Sequence, residues 1–141
     1  MNCEHIVEEL GRTLGIELKL SKEGTCGVYF DDDEVIFEQH GKQLYLIADL
    51  GSAAARSDAY ERLLSANYLG HETGQAALSI DENHGGFVLH RIVDGAMEFE
   101  DFEKILVLFI QAVRYWKEWL ALSPANAHAK PTRFFPDGLQ V

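Results

Sequence analysis

The sequence predicts a single α+β domain in which helices pack against an antiparallel sheet, with elements in the order α-β-β-β-α-β-β-α. Two patterns support this prediction. Apolar residues at three- and four-residue spacing, typical of helices, occur in 2–14, 60–69 and 98–122. Short runs of alternating apolar residues, separated by brief turns, fill most of 16–50 and 76–93. With 141 residues, of which 47% are hydrophobic, the chain is large and apolar enough to bury one core.

The N-terminal segment predicts an amphipathic helix. Its apolar stripe consists of Cys3, Ile6, Val7, Leu10 and Leu14. Gly15 is the expected stop, because glycine readily adopts the left-handed backbone that ends helices. The residues that follow, 16–20, alternate apolar with polar side chains, which predicts either a half-buried strand or an extended arm.

Three strands are predicted next, over 25–30, 34–38 and 43–50, and the short turns between them indicate an antiparallel meander. One set of alternating positions faces the predicted core: Cys26, Val28, Phe30, Val35, Phe37, Leu44, Leu46, Ala48 and Leu50. The opposite set is also apolar or aromatic: Tyr29, Ile36, Tyr45 and Ile47. A sheet with one face in water should carry polar residues there. Either helices cover both faces, or a strand is off by one residue, or this apolar surface is kept for a partner.

The middle of the chain predicts a helix over 60–69, with Asp58 and Glu61 as a capping pair at its start. A second hairpin is predicted over 76–80 and 86–93, because two short apolar runs flank a turn rich in Asp, Asn and Gly.

A long helix over 98–122 closes the predicted domain, which therefore spans 1–122. Its apolar stripe consists of Phe99, Phe102, Ile105, Leu106, Phe109, Ile110, Val113, Trp116, Trp119 and Leu120, so we expect it to be largely buried. All three prolines lie in 123–141, which we predict to be an irregular tail with Phe134–Phe135 as its anchor.

The formal net charge of −11 limits the classes of partner. Nucleic acids and anionic membranes are bound through Lys and Arg, so an acidic chain is a poor candidate for either. No apolar run approaches the ~18 residues that cross a bilayer, and the N-terminus lacks a signal-peptide pattern. Cys3 and Cys26 form no metal-type or disulfide-type spacing, which suits a reducing compartment. We therefore expect a cytoplasmic protein with no nucleic-acid partner and no membrane insertion.

The sequence contains no catalytic constellation. The acidic run 31–34 lacks the Gly and Glu of a calcium loop, since Ile36 and Lys42 stand at those places, and we interpret it as a solvated turn. The six histidines show no zinc spacing, and no serine lies in a nucleophile-elbow pattern. We therefore expect no enzyme, no metal and no cofactor.

The central segment resembles a known family. Leu63, Leu64, Ala66, Asn67, Leu69 and Gly70 form the pattern Leu-Leu-x-Ala-Asn-x-Leu-Gly, which is followed by Thr73–Gly74 and a strand of small residues. This pattern, the acidic-aromatic run over 98–103 and the long last helix are similar to the class I type III secretion chaperones. The resemblance covers roughly 1–122, and Gln75 stands where that family often has a second glycine.

The resemblance implies a non-catalytic, acidic homodimer that holds the N-terminal region of an effector protein in extended form. Its partners would be the effector, a second copy of the chain and the secretion apparatus. We expect the client at Ile6, Tyr29, Ile36, Tyr45 and Ile47. We expect the dimer interface at Leu63, Leu64, Asn67, Tyr68, Leu69 and Ala76. The alternative is a small cytosolic α+β enzyme or regulatory ligand-binding domain, which a pocket lined by convergent polar groups would favour.

Overall fold

The computed structural model describes residues 2–122 and has the predicted α+β architecture and element order. Its elements are α1 (Cys3–Leu14), β1 (Thr25–Phe30), β2 (Asp33–His40), β3 (Gln43–Ser52), α2 (Tyr60–Ala66), β4 (Ala77–Asp81), β5 (Gly86–Asp94) and α3 (Phe99–Ala121). Short 3-10 turns, Ser57–Ala59 and Tyr68–Gly70, flank α2. The strand order is β1-β2-β3-β5-β4, and all neighbouring strands are antiparallel. The predicted tail over 123–141, with its Phe134–Phe135 anchor, lies outside the described residues.

The core lies between one face of the sheet, called here the inner face, and the helices α1 and α3. All the predicted inward side chains of β1, β2 and β3 are buried except Cys26, which is half-buried. The Phe37 ring of β2 packs against the Phe102 ring of α3, with ring centroids 6.1 Å apart. The predicted strand faces are therefore correct, and an error of one residue does not explain the apolar opposite face.

The segment 16–20, called here the arm, is irregular and is not a strand of the sheet. It leaves α1 after Gly15, whose φ of 75° lies in the left-handed region. Gly11 allows the arm to lie close to the helix, because a Cβ there would come within 2.7 Å of the Ile16 carbonyl oxygen. Leu20 at the end of the arm is buried in the core, so the arm packs against the domain.

The central helix is shorter than predicted. α2 ends at Ala66, and the following 3-10 turn holds Leu69 at φ 56°, a left-handed conformation that costs a leucine about 1 kcal/mol. The predicted capping pair is wrong. Ala59 precedes α2 and offers no side-chain cap, while the Asp58 carboxylate pairs with Arg56 at 3.1 Å.

Gln75 adopts a backbone conformation that glycine favours, with φ 67°. Its backbone N–H donates to the Gly70 carbonyl oxygen at 2.9 Å, which holds the turn after α2 in place. The departure from the family pattern at this position therefore leaves the turn hydrogen-bonded.

The acidic turn between β1 and β2 is not simply solvated, so our interpretation was wrong for Asp33. Its side chain is buried, and the residue is only 8% exposed. The carboxylate accepts hydrogen bonds from Arg114 Nε at 3.1 Å and from Lys117 Nζ at 2.8 Å, both on α3. Arg114 also reaches Asp31 at 3.0 Å. These contacts attach the β1–β2 turn to the C-terminal half of α3.

Replacing Asp33 with asparagine is expected to lower the free energy of unfolding by about 1–2 kcal/mol, measured by urea denaturation. Breaking a buried ion pair leaves an uncompensated charge, but the partly exposed Arg114 and Lys117 side chains reduce the effect. Asp32→Asn is the matched control, since Asp32 is exposed in the same turn and should shift stability by less than about 0.5 kcal/mol. Equal losses in the two variants would contradict a specific role for Asp33.

Candidate functional site

The face of the sheet opposite α1 and α3, called here the outer face, carries the apolar side chains predicted for a partner surface. Tyr29 is 59% exposed, while Ile36, Tyr45 and Ile47 are half-buried by their neighbours in the sheet. None of them lies in the core. Within the described residues, this leaves an apolar surface accessible to a partner.

Strand pairing brings these side chains together. Ile36 of β2 lies directly opposite Ile47 of β3, and Ile47 lies opposite His90 of β5. Tyr45, two residues from Ile47 on the same face of β3, lies opposite Ile92. Directly opposed side chains in antiparallel strands have Cβ atoms about 5 Å apart, so these residues form one continuous patch across the middle of the sheet.

Three outer-face residues on β5 were missed by the sequence analysis: Val88, His90 and Ile92. Ile92 is 52% exposed. A concavity of about 310 Å³ lies between β3, β5 and β4, and it is lined by Tyr45, Ile47, Ser79, Asp81, Val88, His90, Arg91 and Ile92. Alternation along 86–93 could have identified these residues, because β5 has the same two-residue period as the first three strands.

Ile6 does not belong to this surface, and its predicted role is corrected. Its side chain is completely buried within the core cluster. α1 packs its apolar stripe on the inner face with α3, on the opposite side of the sheet from Tyr45 and Ile47. An apolar position on an amphipathic helix is explained here by core packing alone.

The outer face combines apolar side chains with carboxylates. Glu34, Glu38 and Asp49 project from it, and the outward positions of the five described strands hold no Lys or Arg. Burial raises the pKa of Asp49, but the Gly51 N–H and His84 together outweigh this and leave that pKa lowered. Asp49 is therefore ionised near neutral pH.

His90 stands in the middle of the outer face with its pKa lowered, because burial among its neighbours disfavours the charged form. The ring is therefore largely neutral near pH 7. A neutral imidazole keeps this part of the surface uncharged, which suits contact with apolar groups.

β1 forms an open edge of the sheet. The Gln39 N–H donates to the Gly24 carbonyl oxygen at 2.8 Å. In an antiparallel pair, only every second residue of a strand bonds to the neighbouring strand, so this bond determines which residues of β1 bond to β2. Gly27 and Tyr29 therefore direct their backbone N–H and C=O groups away from the sheet. Within residues 2–122, no backbone hydrogen bond joins either residue to the arm. An extended polypeptide could add here as a further strand.

A second apolar surface lies around α2. Leu64, Tyr68 and Leu69 are 70%, 74% and 64% exposed, as a predicted interface requires. Tyr60 and Ile80 join them and were missed, although Tyr60 falls on the stripe of the same helix. A groove of about 230 Å³ runs through this surface, and it is lined by Tyr60, Leu63, Leu64, Leu78, Ser79, Ile80 and Phe87.

Three residues predicted for the dimer interface make contacts within the domain instead. Leu63 and Ala76 are buried within the core cluster, so their side chains are not presented to a second copy. The half-buried Asn67 side chain bonds to the edge strand β4. It donates to the Leu78 carbonyl oxygen at 2.9 Å and accepts from the Leu78 N–H at 2.7 Å. Asn67 therefore blocks further strand addition at this edge.

Replacing Asn67 with alanine is expected to lower the free energy of unfolding by about 1–3 kcal/mol, because two hydrogen bonds to Leu78 are lost together. Thermal and urea unfolding provide the measurement. Asn83→Ala, in the exposed turn between β4 and β5, is the control and should change little. A native-like Asn67→Ala variant would show that the strand edge does not depend on this side chain.

Two kinds of feature are absent from residues 2–122. No helix within residues 2–122 is both long enough and apolar enough to cross a bilayer. In the same part of the chain, no group of three or more His, Cys, Asp or Glu side chains is placed to hold a metal ion.

The fold is similar to chains of several solved complexes. A chain of the HopA1–SchA chaperone–effector complex matches with a TM-score of 0.69 at 17% identity, covering 81% of this chain and 91% of that one. A chain of the ExsC–ExsE complex matches with a TM-score of 0.70 at 21% identity, over 85% of this chain and 97% of that one. The Yersinia pestis type III secretion chaperone SycH, in complex with a stable fragment of YscM2, gives 0.64 at 17% identity, over 82% and 99%. At these identities the likeness establishes the fold.

Sequence comparison gives the family. No curated protein sequence matches the chain. The sequence profile of the Tir chaperone protein (CesT) family, however, matches residues 5–117, which is most of its length. Together with the shared fold, this match means that the chain belongs to the Tir chaperone protein (CesT) family.

Proposed function

We propose that this chain is a type III secretion chaperone that binds the N-terminal region of an effector in extended form and keeps it competent for secretion. Its family is a chaperone family. The observation that carries the proposal is the uncovered apolar outer face, where Tyr29, Ile36, Tyr45 and Ile47 lie outside the core. The solved complexes with the same fold include chaperones bound to effectors.

The open edge of β1 supplies the second part of the client site. An extended segment that pairs with Gly27 and Tyr29 gains backbone hydrogen bonds, which give affinity without demanding one sequence. Its alternate side chains would then extend the outer face beyond Tyr29. Ordering such a segment costs entropy, so several apolar anchors are needed along its length.

We further propose that the chain is a homodimer formed through the surface around α2. Leu64, Tyr68 and Leu69 are exposed there, and a soluble monomer rarely leaves so many large apolar groups together in water. Asn67 closes the adjacent edge of β4, so the contact would form through side chains and not through strand addition.

We also propose that the chain acts in the cytoplasm and catalyses no reaction. Its family is one of chaperones. A groove of about 630 Å³ lies between α1 and the arm, but it is open and lined mainly by exposed side chains, among them Arg12, Glu17 and Lys19. An enzyme or a ligand-binding domain would require convergent, buried polar groups, and the lining of this groove does not consist of such groups.

Affinity capture from the bacterium that encodes the chain, followed by reconstitution of the complex, tests the client site. Hydrogen exchange of the purified complex should show new protection in β1, at Gly27 and Tyr29, and reduced exchange of β3. α3 should be unaffected, because it lies across the core. Protection confined to the groove between α1 and the arm would contradict the proposed site.

A further inference from the structure

The open edge of β1 has a gap in its row of side chains at Gly27. Gly27 lies opposite Ile36, so its missing side chain would have pointed to the outer face. Tyr29 lies on the same face, two residues further along β1. A segment that adds at this edge therefore meets a gap in the side chains of β1, beside Ile36 and next to the Tyr29 ring.

A carboxylate occupies this gap. Glu34 lies opposite Tyr29 on β2, and its side chain extends diagonally toward Gly27. A Cβ built on Gly27 would come within 2.9 Å of Glu34 Oε2. The missing side chain thus allows the carboxylate to lie over the backbone of the edge strand.

This carboxylate has no cation of its own within the part of the chain that the structure describes. Glu34 takes part in no hydrogen bond or ion pair there, whereas two other carboxylates of the outer face, Glu38 and Asp49, have histidine neighbours. The two basic side chains that contact the β1–β2 turn, Arg114 and Lys117, are already paired with Asp33 on the inner side. Glu34 is therefore placed to accept a cation from outside the chain.

We propose that Glu34 selects a lysine or arginine on the bound segment, at the position that pairs with Gly27. This inference rests on the proposed function, because it assumes that the segment adds at the β1 edge. A residue paired with Gly27 has its Cβ about 5 Å away on the same face. Its long apolar stem covers Ile36, and its charged end reaches the Glu34 carboxylate.

The neighbouring positions complete the recognition pattern. Residues two steps away on the added strand also face outward, and one of them lies beside Tyr29. An apolar side chain there packs on the exposed Tyr29 ring. The client segment is therefore expected to carry a basic residue and an apolar residue separated by one position. The order of the two depends on strand direction.

Selection from a phage-displayed library of random linear peptides tests this inference, with native protein, Glu34→Gln and Glu34→Lys as the baits. Native protein should enrich peptides that combine apolar residues with Lys or Arg at the stated spacing. Glu34→Gln should keep the apolar preference and lose the basic one. Glu34→Lys should enrich Asp or Glu at that position. Glu100→Gln, an exposed carboxylate on α3, is the matched control and should select as native protein does.

A synthetic peptide from the native selection then measures the coupling. Replacing its basic residue with glutamine should weaken binding to native protein about threefold to fivefold, and should have little effect on binding to Glu34→Gln. If native protein enriches apolar peptides without a basic preference, only the role of Glu34 fails. If no bait enriches any peptide, the proposed client site fails as well.

Discussion

Replacing Tyr45 and Ile47 together with aspartate is expected to weaken client binding at least about a hundredfold while the protein remains folded. The two side chains are neighbours on β3 and face the same concavity on the outer face. A client that fills this concavity would remove both new carboxylates from water, and unpaired buried charge is strongly unfavourable. Titration calorimetry with the effector segment gives the dissociation constant.

The fold should tolerate this change, because neither side chain lies in the core. Tyr45 stacks on His40 with ring centroids 4.2 Å apart, and loss of this contact is expected to cost about 1 kcal/mol. Tyr45→Phe with Ile47→Val is the matched control, since it keeps the apolar surface, and it should bind nearly as the native protein does. If the aspartate variant unfolds, these residues are core. If it folds and still binds, the client lies elsewhere.

The outer face could be predicted because strands impose a period of two. Once Val35 and Phe37 were assigned to the core, the opposite positions followed, and the structure places Ile36, Tyr45 and Ile47 there. Local pattern alone did not reveal that this face lacks a covering helix. That depends on which face α1 and α3 share, which is a property of the whole packing arrangement.

Ile6 and Leu63 show why site residues were harder to predict than elements. Both are apolar residues on helical stripes, and a stripe can face a core or a partner with the same spacing. Ile6 is buried in the core cluster, and Leu63 is buried while the adjacent Leu64 is exposed. The difference between neighbours on α2 is set by the rotation of a short helix, which no sequence period fixes.

Asn67 and Asp33 illustrate contacts that only the tertiary structure creates. Asn67 bonds to Leu78, eleven positions along the chain, and Asp33 bonds to Lys117 from the far end of the domain. In the sequence, Asn67 looks like an ordinary polar residue at a helix end, and Asp33 looks like one in an acidic turn. Their roles arise because distant segments deliver donors and acceptors of the right type to the same place.

Replacing Leu64 and Tyr68 with aspartate is expected to convert a dimer into a monomer at micromolar concentration. Two copies carry a formal charge of −11 each and repel one another, so a permanent contact needs a sizeable apolar area to offset this. Leu64 and Tyr68 are among the most exposed large apolar side chains around α2. Four added carboxylates at a two-fold contact should raise the dissociation constant at least about a thousandfold.

Sedimentation velocity measures this outcome, with unfolding curves to confirm that the variant keeps its fold. Ile16→Asp is the control, because Ile16 is exposed on the arm, outside the surface around α2, and should leave the dimer intact. A native protein that sediments as a monomer at micromolar concentration and ordinary salt would contradict the proposed dimer. A double variant that stays dimeric would place the interface on another surface. In that case the outer face becomes the next candidate, and the client-binding measurement on Tyr45 and Ile47 would have to be repeated with the oligomeric state recorded.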